Sequence, residues 1–229
     1  MIVIIGGTSG IGLETAKYLS AQSNEVLIGG RNQYSNDDLI YKYIDVSKEE
    51  SVKSFFENID KIDGLVYSSG ITTKQKNIKE FDQNIWENII NVNVTGALLV
   101  LKYAYEKLVK AKGKIVIVNS LATRSFSAFS GVEYTMSKSA LSGMVKQLSM
   151  DFAQDGVIIN SVFPSMTATP MLIKNVEKEK LDNIANDIPL KRISKPIEVA
   201  KAIGFLLSKD NSYMTGCGLD LNGGQFLNG

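Results

Sequence analysis

The 229-residue sequence predicts an α/β fold: a doubly wound parallel sheet of about seven strands with helices on both faces. Three observations predict it. Short apolar runs alternate with longer stretches of helical pattern along the whole chain. The first apolar run leads directly into a glycine-rich turn and a helix start. No repeat or low-complexity linker divides the chain, so residues 1–229 read as one domain.

The elements follow in order. Ile2–Ile5 is an unbroken apolar run, as expected of a strand buried on both faces. The helix Ile11–Ala21 carries the chain to a second run at Val26–Ile28, and Ile40–Ile44 forms the third. The connection from Arg31 to Asp45 is short, with room for that third strand but little for a helix before it. The helix Lys48–Ile59 precedes a strand at Leu65–Tyr67. A single long helix is expected over Gln83–Ala111, then a strand at Ile115–Val118 and a second long helix over Val132–Ala153. Val157–Val162 is the sixth strand, Pro196–Leu207 the last helix and Leu219–Leu221 the last strand. The least regular stretch, residues 164–189, follows a late strand. Ligands of such sheets bind beyond the carboxyl ends of the strands, so this stretch is expected to be a loop or helical lid over a substrate.

Composition narrows the chemistry. The formal net charge of +1 gives no electrostatic reason to expect nucleic acid or an anionic membrane as partner. No apolar run approaches the ~20 residues of a membrane span. Met1–Ile5 runs straight into the glycine turn, so no signal peptide is expected. The one cysteine, Cys217, rules out an internal disulfide and suits the cytoplasm. The sequence contains no histidine, which removes Ser-His-Asp and Cys-His catalysis and histidine-based zinc sites. No metal is expected, and acid–base chemistry falls to Tyr, Lys, Asp, Glu or a cofactor.

The segment Ile2-Val-Ile-Ile-Gly-Gly-Thr-Ser-Gly-Ile-Gly12 reads strand, turn, helix start, with Gly6, Gly10 and Gly12 spaced Gly-x3-Gly-x-Gly. Glycines permit the tight turn and a close backbone approach, and the free N–H groups of a helix start suit phosphate. Later in the chain stands Tyr134-Thr-Met-Ser-Lys138. Residues i and i+4 share a helix face, so Lys138 can stand beside Tyr134. Tyr-x3-Lys also occurs at Tyr103–Lys107, so the motif alone decides nothing. Context separates the two: 14 residues before Tyr134 stands Ser120, just past a strand, whereas Ile89 holds that offset before Tyr103.

With these features the sequence resembles the short-chain dehydrogenase/reductase family, in the compact branch that includes 3-oxoacyl-carrier-protein reductases. The likeness runs through Asp45-Val46, Asn91-Val-Asn-Val-Thr-Gly96, Ser120, Tyr134, Lys138, the stretch Asn160–Thr169, Pro189–Arg192 and Asn222-Gly-Gly224. It departs in the short Arg31–Asp45 connection, which implies a more open edge of the adenosine site, and at three further places. Ile5 stands for the usual Thr, Ser165 for the usual Gly, and Tyr67-Ser68-Ser69-Gly70 for Asn-Asn-Ala-Gly.

The resemblance implies a Rossmann-type fold and an NAD(P)-dependent oxidoreductase that moves a hydride between nicotinamide and a carbonyl or secondary alcohol carbon. It implies a catalytic set of Asn93, Ser120, Tyr134 and Lys138. Tyr134 would be the acid in reduction and the base in oxidation, with Lys138 orienting the nicotinamide ribose and favouring the phenolate. A positive charge ~5 Å away at an effective dielectric of ~20 is worth roughly 3 kcal/mol, enough to bring a tyrosine from about 10 to about 8. Asn93 would bind a water or a helix carbonyl near Lys138. The cofactor would lie along Gly6, Thr8, Ser9, Gly10, Ile11, Gly12, Arg31, Asp45, Val46, Ser69, Gly70, Tyr134, Lys138, Pro164, Thr167 and Thr169. Pro164 would fix the start of its loop, and Thr167 and Thr169 would meet the carboxamide end.

Where an acidic residue would bind the ribose hydroxyls of NAD, this sequence has Gly30 and then Arg31, which favours NADP with NAD as the alternative. Leu121, Arg124, Phe126, Phe129, Met166, Met171 and Leu172 are expected near a mostly apolar substrate pocket, with Arg124 either meeting an acidic substrate or solvated. Leu98-Leu-Val-Leu101 puts apolar residues on more than one face of its helix, which fits a homodimer or homotetramer like those of the family. Two other classes stay open from sequence: a cofactor-binding sensor or scaffold, and an isomerase or epimerase that uses nicotinamide transiently.

Overall fold

In the computed structural model, residues 1–35, 39–74, 76–127, 129–173 and 178–227 are described. The side chains of Met171 and Lys178 lie outside that description, as do the parts of the expected lid and of the Arg31–Ile40 connection that fall between these ranges. The seven strands are β1 (Ile2–Ile5), β2 (Val26–Gly30), β3 (Ile40–Tyr43), β4 (Gly64–Tyr67), β5 (Lys114–Val118), β6 (Ile158–Pro164) and β7 (Gly218–Leu221). They form one parallel sheet in the order β3-β2-β1-β4-β5-β6-β7. This is the doubly wound fold expected from the alternation of runs.

The helices are α1 (Gly10–Ser20), α2 (Glu49–Phe56), α3 (Gln83–Ile90), α4 (Gly96–Ala111), α5 (Val132–Ala153), α6 (Pro170–Ile173), α7 (Lys178–Asp187) and α8 (Pro196–Leu207). They cover both faces of the sheet. Val3, Ile5, Leu65, Ile115 and Ile117 pack with α2, α4 and α5 residues such as Phe55, Val100 and Leu141. Ile2, Ile4, Ile28, Val66, Val116 and Val162 pack on the other side with Ala16, Leu19, Val199 and Ile203 of α1 and α8. Each core strand therefore needs apolar residues in both registers, which is why the runs are unbroken. No helix is present between β2 and β3 among the described residues, as their spacing requires.

The expected single helix Gln83–Ala111 is interrupted. Between α3 and α4, residues Asn91–Thr95 form a π-helical turn. The physical cause sits on β4. The fully buried Tyr67 donates its hydroxyl to the carbonyl of Val92 at 2.6 Å, satisfying a group the widened turn releases. Gly96 makes room for it: a Cβ there would lie 2.9 Å from the Tyr67 hydroxyl and from Val46. The irregular stretch after β6 holds α6 and α7.

The chain leaves β1 toward β2 and β3 on one side and resumes on the other side with β4. The carboxyl ends of β1 and β4 therefore bound a crevice at the point where the winding direction changes.

Candidate active site

Gly6 follows β1 at φ +84°, and Gly10 begins α1 at φ +55°, both left-handed conformations that suit glycine. A Cβ on Gly6 would lie 2.6 Å from the Ser69 backbone nitrogen, so the β4 loop folds directly over the glycine turn. A Cβ on Gly12 would lie 2.2 Å from the Gly6 carbonyl oxygen, so Gly12 lets the helix start close on its own loop. Ser9 caps α1 in extended conformation with no side-chain cap bond, which leaves the first-turn N–H groups and the Ser9 hydroxyl for a ligand.

Asp45 and Val46 follow β3. Asp45 Oδ1 accepts from the Ser47 N–H at 3.1 Å and the Ser47 hydroxyl at 2.7 Å. Burial pushes its carboxyl up, but the two Ser47 bonds and the charge of Arg31 outweigh burial and hold it below its ordinary value. A Cβ on Gly30 would lie 2.7 Å from Thr8 Oγ1, so Thr8 occupies the place a longer residue at position 30 would need.

At the other end of the cleft, Tyr134 and Lys138 lie one turn apart on α5, as their spacing predicts. Lys138 is buried, its Nζ lies 5.8 Å from the centre of the Tyr134 ring, and it donates to the Val118 carbonyl at the end of β5 at 2.9 Å. Burial pushes the Lys138 ammonium down to about 8. Burial also pushes the Tyr134 hydroxyl up, opposed by a hydrogen bond from Ser120. The Tyr134 hydroxyl is therefore raised rather than lowered as expected, because burial outweighs the Ser120 hydrogen bond.

Ser120 follows β5 in extended backbone, where Asn119 fixes it. Asn119 Oδ1 accepts from the Ser120 N–H at 3.0 Å, and Asn119 Nδ2 donates to Ser142 Oγ on α5 at 2.9 Å. Asn93 is buried in the π turn. Its Oδ1 accepts from Ile71 N at 2.8 Å, and its Nδ2 donates to Ile71 O at 3.0 Å and to Ser137 Oγ at 2.9 Å. Asn93 therefore clamps the backbone just after Gly70. A Cβ on Gly70 would lie 3.4 Å from Asn93 Oδ1 and 3.5 Å from Lys138 Nζ, so these groups meet around that glycine.

One cleft of about 920 Å³ joins both ends. Its walls hold Gly6, Thr8, Ser9, Gly10, Ile11, Arg31, Asp45, Val46, Ser69, Gly70, Ser120, Tyr134, Lys138, Pro164, Thr167 and Thr169. Of the residues expected from sequence, Gly12 and Asn93 stand behind the wall. Thr169 closes toward the glycine loop, its Cγ2 being 3.4 Å from where a Gly10 Cβ would lie. The loop it sits on is pinned by Thr167 Oγ1 to Ser194 Oγ at 2.8 Å.

Leu121, Phe126, Phe129, Met166 and Leu172 also face the cleft. Arg124 does not, and it is not simply solvated. Its guanidinium stacks 3.9 Å from the Phe163 ring centre and its Nε donates to Asp220 Oδ1 at 3.2 Å. The other Tyr-x3-Lys pair is remote from the cleft: Tyr103 donates to Glu49 Oε1 at 2.8 Å. Sequence reading missed Asn119, Ser137 and Ser194. Ser137 carries a local signal, lying three residues after Tyr134 and donating to its carbonyl at 2.8 Å. Asn119 and Ser194 act across the fold and carry none.

A family model described as enoyl-(acyl carrier protein) reductase matches residues 6–225. The chain belongs to the short-chain dehydrogenase/reductase family. It is therefore an oxidoreductase of the class that acts on CH–OH and C=O groups with a nicotinamide cofactor, as the motifs lead one to expect. The 3-oxoacyl-(acyl-carrier-protein) reductase FabG of Aquifex aeolicus is 33% identical over 98% of this chain and 96% of its own. The ligand-free aldohexose dehydrogenase of Thermoplasma acidophilum superposes with a TM-score of 0.91 at 26% identity, covering 98% of this chain and 92% of that one. ElxO with NADP bound gives a TM-score of 0.90 at 28% identity, covering 98% and 97%. Among the described residues no helix is long and apolar enough to cross a membrane, and no group of His, Cys, Asp and Glu is arranged to hold a metal.

Proposed function

We propose that this short-chain dehydrogenase/reductase is a single-domain, NADPH-dependent carbonyl reductase or secondary alcohol dehydrogenase. The observation that carries the reading is the meeting of Ser120, Tyr134 and Lys138 in the same cleft as the glycine turn. The cradle fits a dinucleotide. The glycine turn has no side chain to spare at Gly6, the first turn of α1 presents unpaired N–H groups, and Asp45 and Val46 stand where an adenosine would lie. Bound nicotinamide supplies or accepts the hydride.

The protein's residues do the rest. Ser120 holds the substrate oxygen beside Tyr134. Tyr134 gives that oxygen a proton in reduction and takes one in oxidation. Lys138 orients the nicotinamide ribose, and its positive charge favours the phenolate once the cleft is filled. Asn93, with Ser137, fixes the Ile71 backbone against which Gly70 turns. Pro164, Thr167 and Thr169 form the loop over the carboxamide end.

Two features favour NADP over NAD. Thr8 fills the space an acidic residue at position 30 would need, and Arg31 stands on the cleft wall ready to meet a 2′-phosphate. The relative ElxO binds NADP. The protein works as a homodimer or homotetramer in the cytoplasm, consistent with its free, exposed Cys217. A panel of acyl-thioesters, sugars, steroids and simple ketones, each with NADPH and NADH, tests the reading. Net NADPH consumption with at least one carbonyl is expected. Cofactor binding without turnover on any member would favour a sensor, and substrate conversion without net NADPH consumption an isomerase.

A further inference from the structure

A second cavity, of about 230 Å³, lies between α5, β6, the turn at Thr123 and Arg124 and the start of β7. It is below the roughly 300–1,000 Å³ typical of drug-sized pockets, so it suits a small ligand and not a second cofactor. Its walls include Arg124, Ser142, Lys146, Ser161 and Cys217, and none of its wall residues carries a carboxylate.

Counting hydrogens shows what this cavity lacks. Ser161 is 2% exposed, and its hydroxyl has no hydrogen-bond partner among the described residues. It shares a β6 face with Ile159 and Phe163, the face on which Ile159 packs with Leu141 and Val145 of α5, so it is aimed into the layer that holds the cavity. Ser142 Oγ accepts from Asn119, so its own hydrogen remains to donate. Arg124 engages Asp220 through Nε, which leaves its terminal nitrogens to donate. One of them lies 3.2 Å from where a Gly218 Cβ would stand, so the missing side chain at Gly218 keeps space beside the guanidinium. Lys146 has no carboxylate within salt-bridge distance among the described residues. The other two hydroxyls on the wall are already spent as donors, Thr123 to the Ser120 carbonyl at 2.9 Å and Ser139 to the Thr135 carbonyl at 2.9 Å. Arg124 is paired with Asp220, so the cavity gathers one guanidinium with terminal nitrogens left to donate, one ammonium without a carboxylate partner among the described residues, and two hydroxyls with hydrogens to donate.

A buried hydroxyl left unpaired costs free energy comparable to a lost hydrogen bond, and such groups are rare without a ligand, ion or water to account for them. We propose that this cavity is a binding site for a compact oxyanion, inorganic phosphate or the phosphoryl group of a small metabolite, held by Arg124, Ser142, Lys146 and Ser161. Charge-assisted bonds from a guanidinium and an ammonium supply the affinity, and the two hydroxyls supply the tetrahedral fit. The site stands apart from the nicotinamide cleft and does not depend on the oxidoreductase reading.

The test is calorimetric titration of the full chain with inorganic phosphate, against chloride at equal ionic strength, in the wild type and in Lys146→Gln, Ser161→Ala and Arg31→Ala. A phosphate Kd of about 1 mM or tighter is expected. Lys146→Gln weakens it roughly tenfold, as loss of a charge-assisted bond should, whereas Arg31→Ala reads out any separate phosphate binding in the nicotinamide cleft. Glycerol 3-phosphate binding tighter than phosphate would assign the site to a phosphorylated metabolite, and the reverse order to the free ion. Thermal unfolding gives an independent readout. Ser161→Ala removes an unpaired buried hydroxyl, so it raises Tm without phosphate while reducing the stabilisation that phosphate adds. The proposal is overturned by phosphate heats no larger than those of chloride, or by binding that follows Arg31 and ignores Lys146. A fall in Tm for Ser161→Ala without phosphate would overturn it too, since the hydroxyl would then be satisfied by water alone.

Discussion

At Tyr134 two effects of opposite sign compete, burial and the hydrogen bond from Ser120, and burial is the larger. Burial raises the Tyr134 hydroxyl and lowers Lys138 to about 8. The sign sets the pH dependence. Reduction needs the protonated phenol, which a raised value preserves, so carbonyl reduction should be flat through neutral pH and decline only on the alkaline side. Alcohol oxidation needs the phenolate, so its rate should climb with pH over the range from about 6 to 10. Initial rates in both directions across that range check this, and an oxidation rate that is level throughout would contradict it. A second residue-scale prediction concerns Arg31. NADPH should bind at least about tenfold tighter than NADH, and Arg31→Ala should remove most of that preference, since a guanidinium–phosphate fork is lost. Fluorescence titration with both cofactors reads it, and equal affinities in the wild type would defeat the assignment. The pairing of Tyr134 with Ser120 was legible because the helix period and the strand end are both local in sequence. Asn119, which fixes Ser120, was not, because its partner Ser142 lies 23 residues away on α5.

At the scale of elements, the runs of apolar residues located every strand, and α5 and α8 fall where their patterns place them. The break in the expected helix Gln83–Ala111 was hidden. Asn91 to Thr95 are individually tolerable in a helix, and what opens the turn is a tyrosine hydroxyl arriving from β4. This explains why the departure at Tyr67 is compatible with the site: the new side chain caps the π turn from which Asn93 clamps Ile71. Tyr67→Phe removes that hydrogen bond to the Val92 carbonyl. It should destabilise the fold by about 1–3 kcal/mol. Chemical denaturation checks this, and a midpoint identical to the wild type would mean the turn does not depend on the hydroxyl.

For the whole molecule, the change in winding direction between β1 and β4 gathers the glycine turn, the β4 loop and the end of β5 at one sheet edge. That gathering follows from strand order, which the alternation of elements and the handedness of crossovers already dictate. Part of α4 and α5 is left uncovered by the sheet. Leu98 on α4 and Met136 and Met150 on α5 are exposed, Met150 at 71%. Sizing with light scattering should therefore give a dimer or tetramer, and a monomer at micromolar concentration would refute it. The claim that this cleft performs acid–base chemistry with Tyr134 is tested most directly by kcat for Tyr134→Phe against Tyr103→Phe, on a verified substrate at saturating cofactor. Removing the Tyr134 hydroxyl should lower kcat by roughly 10²–10⁴-fold with cofactor binding retained. The Tyr103 change should alter kcat by less than about threefold, because that helix-surface hydroxyl donates to Glu49, away from the cleft. Near-native turnover by Tyr134→Phe would contradict the mechanism.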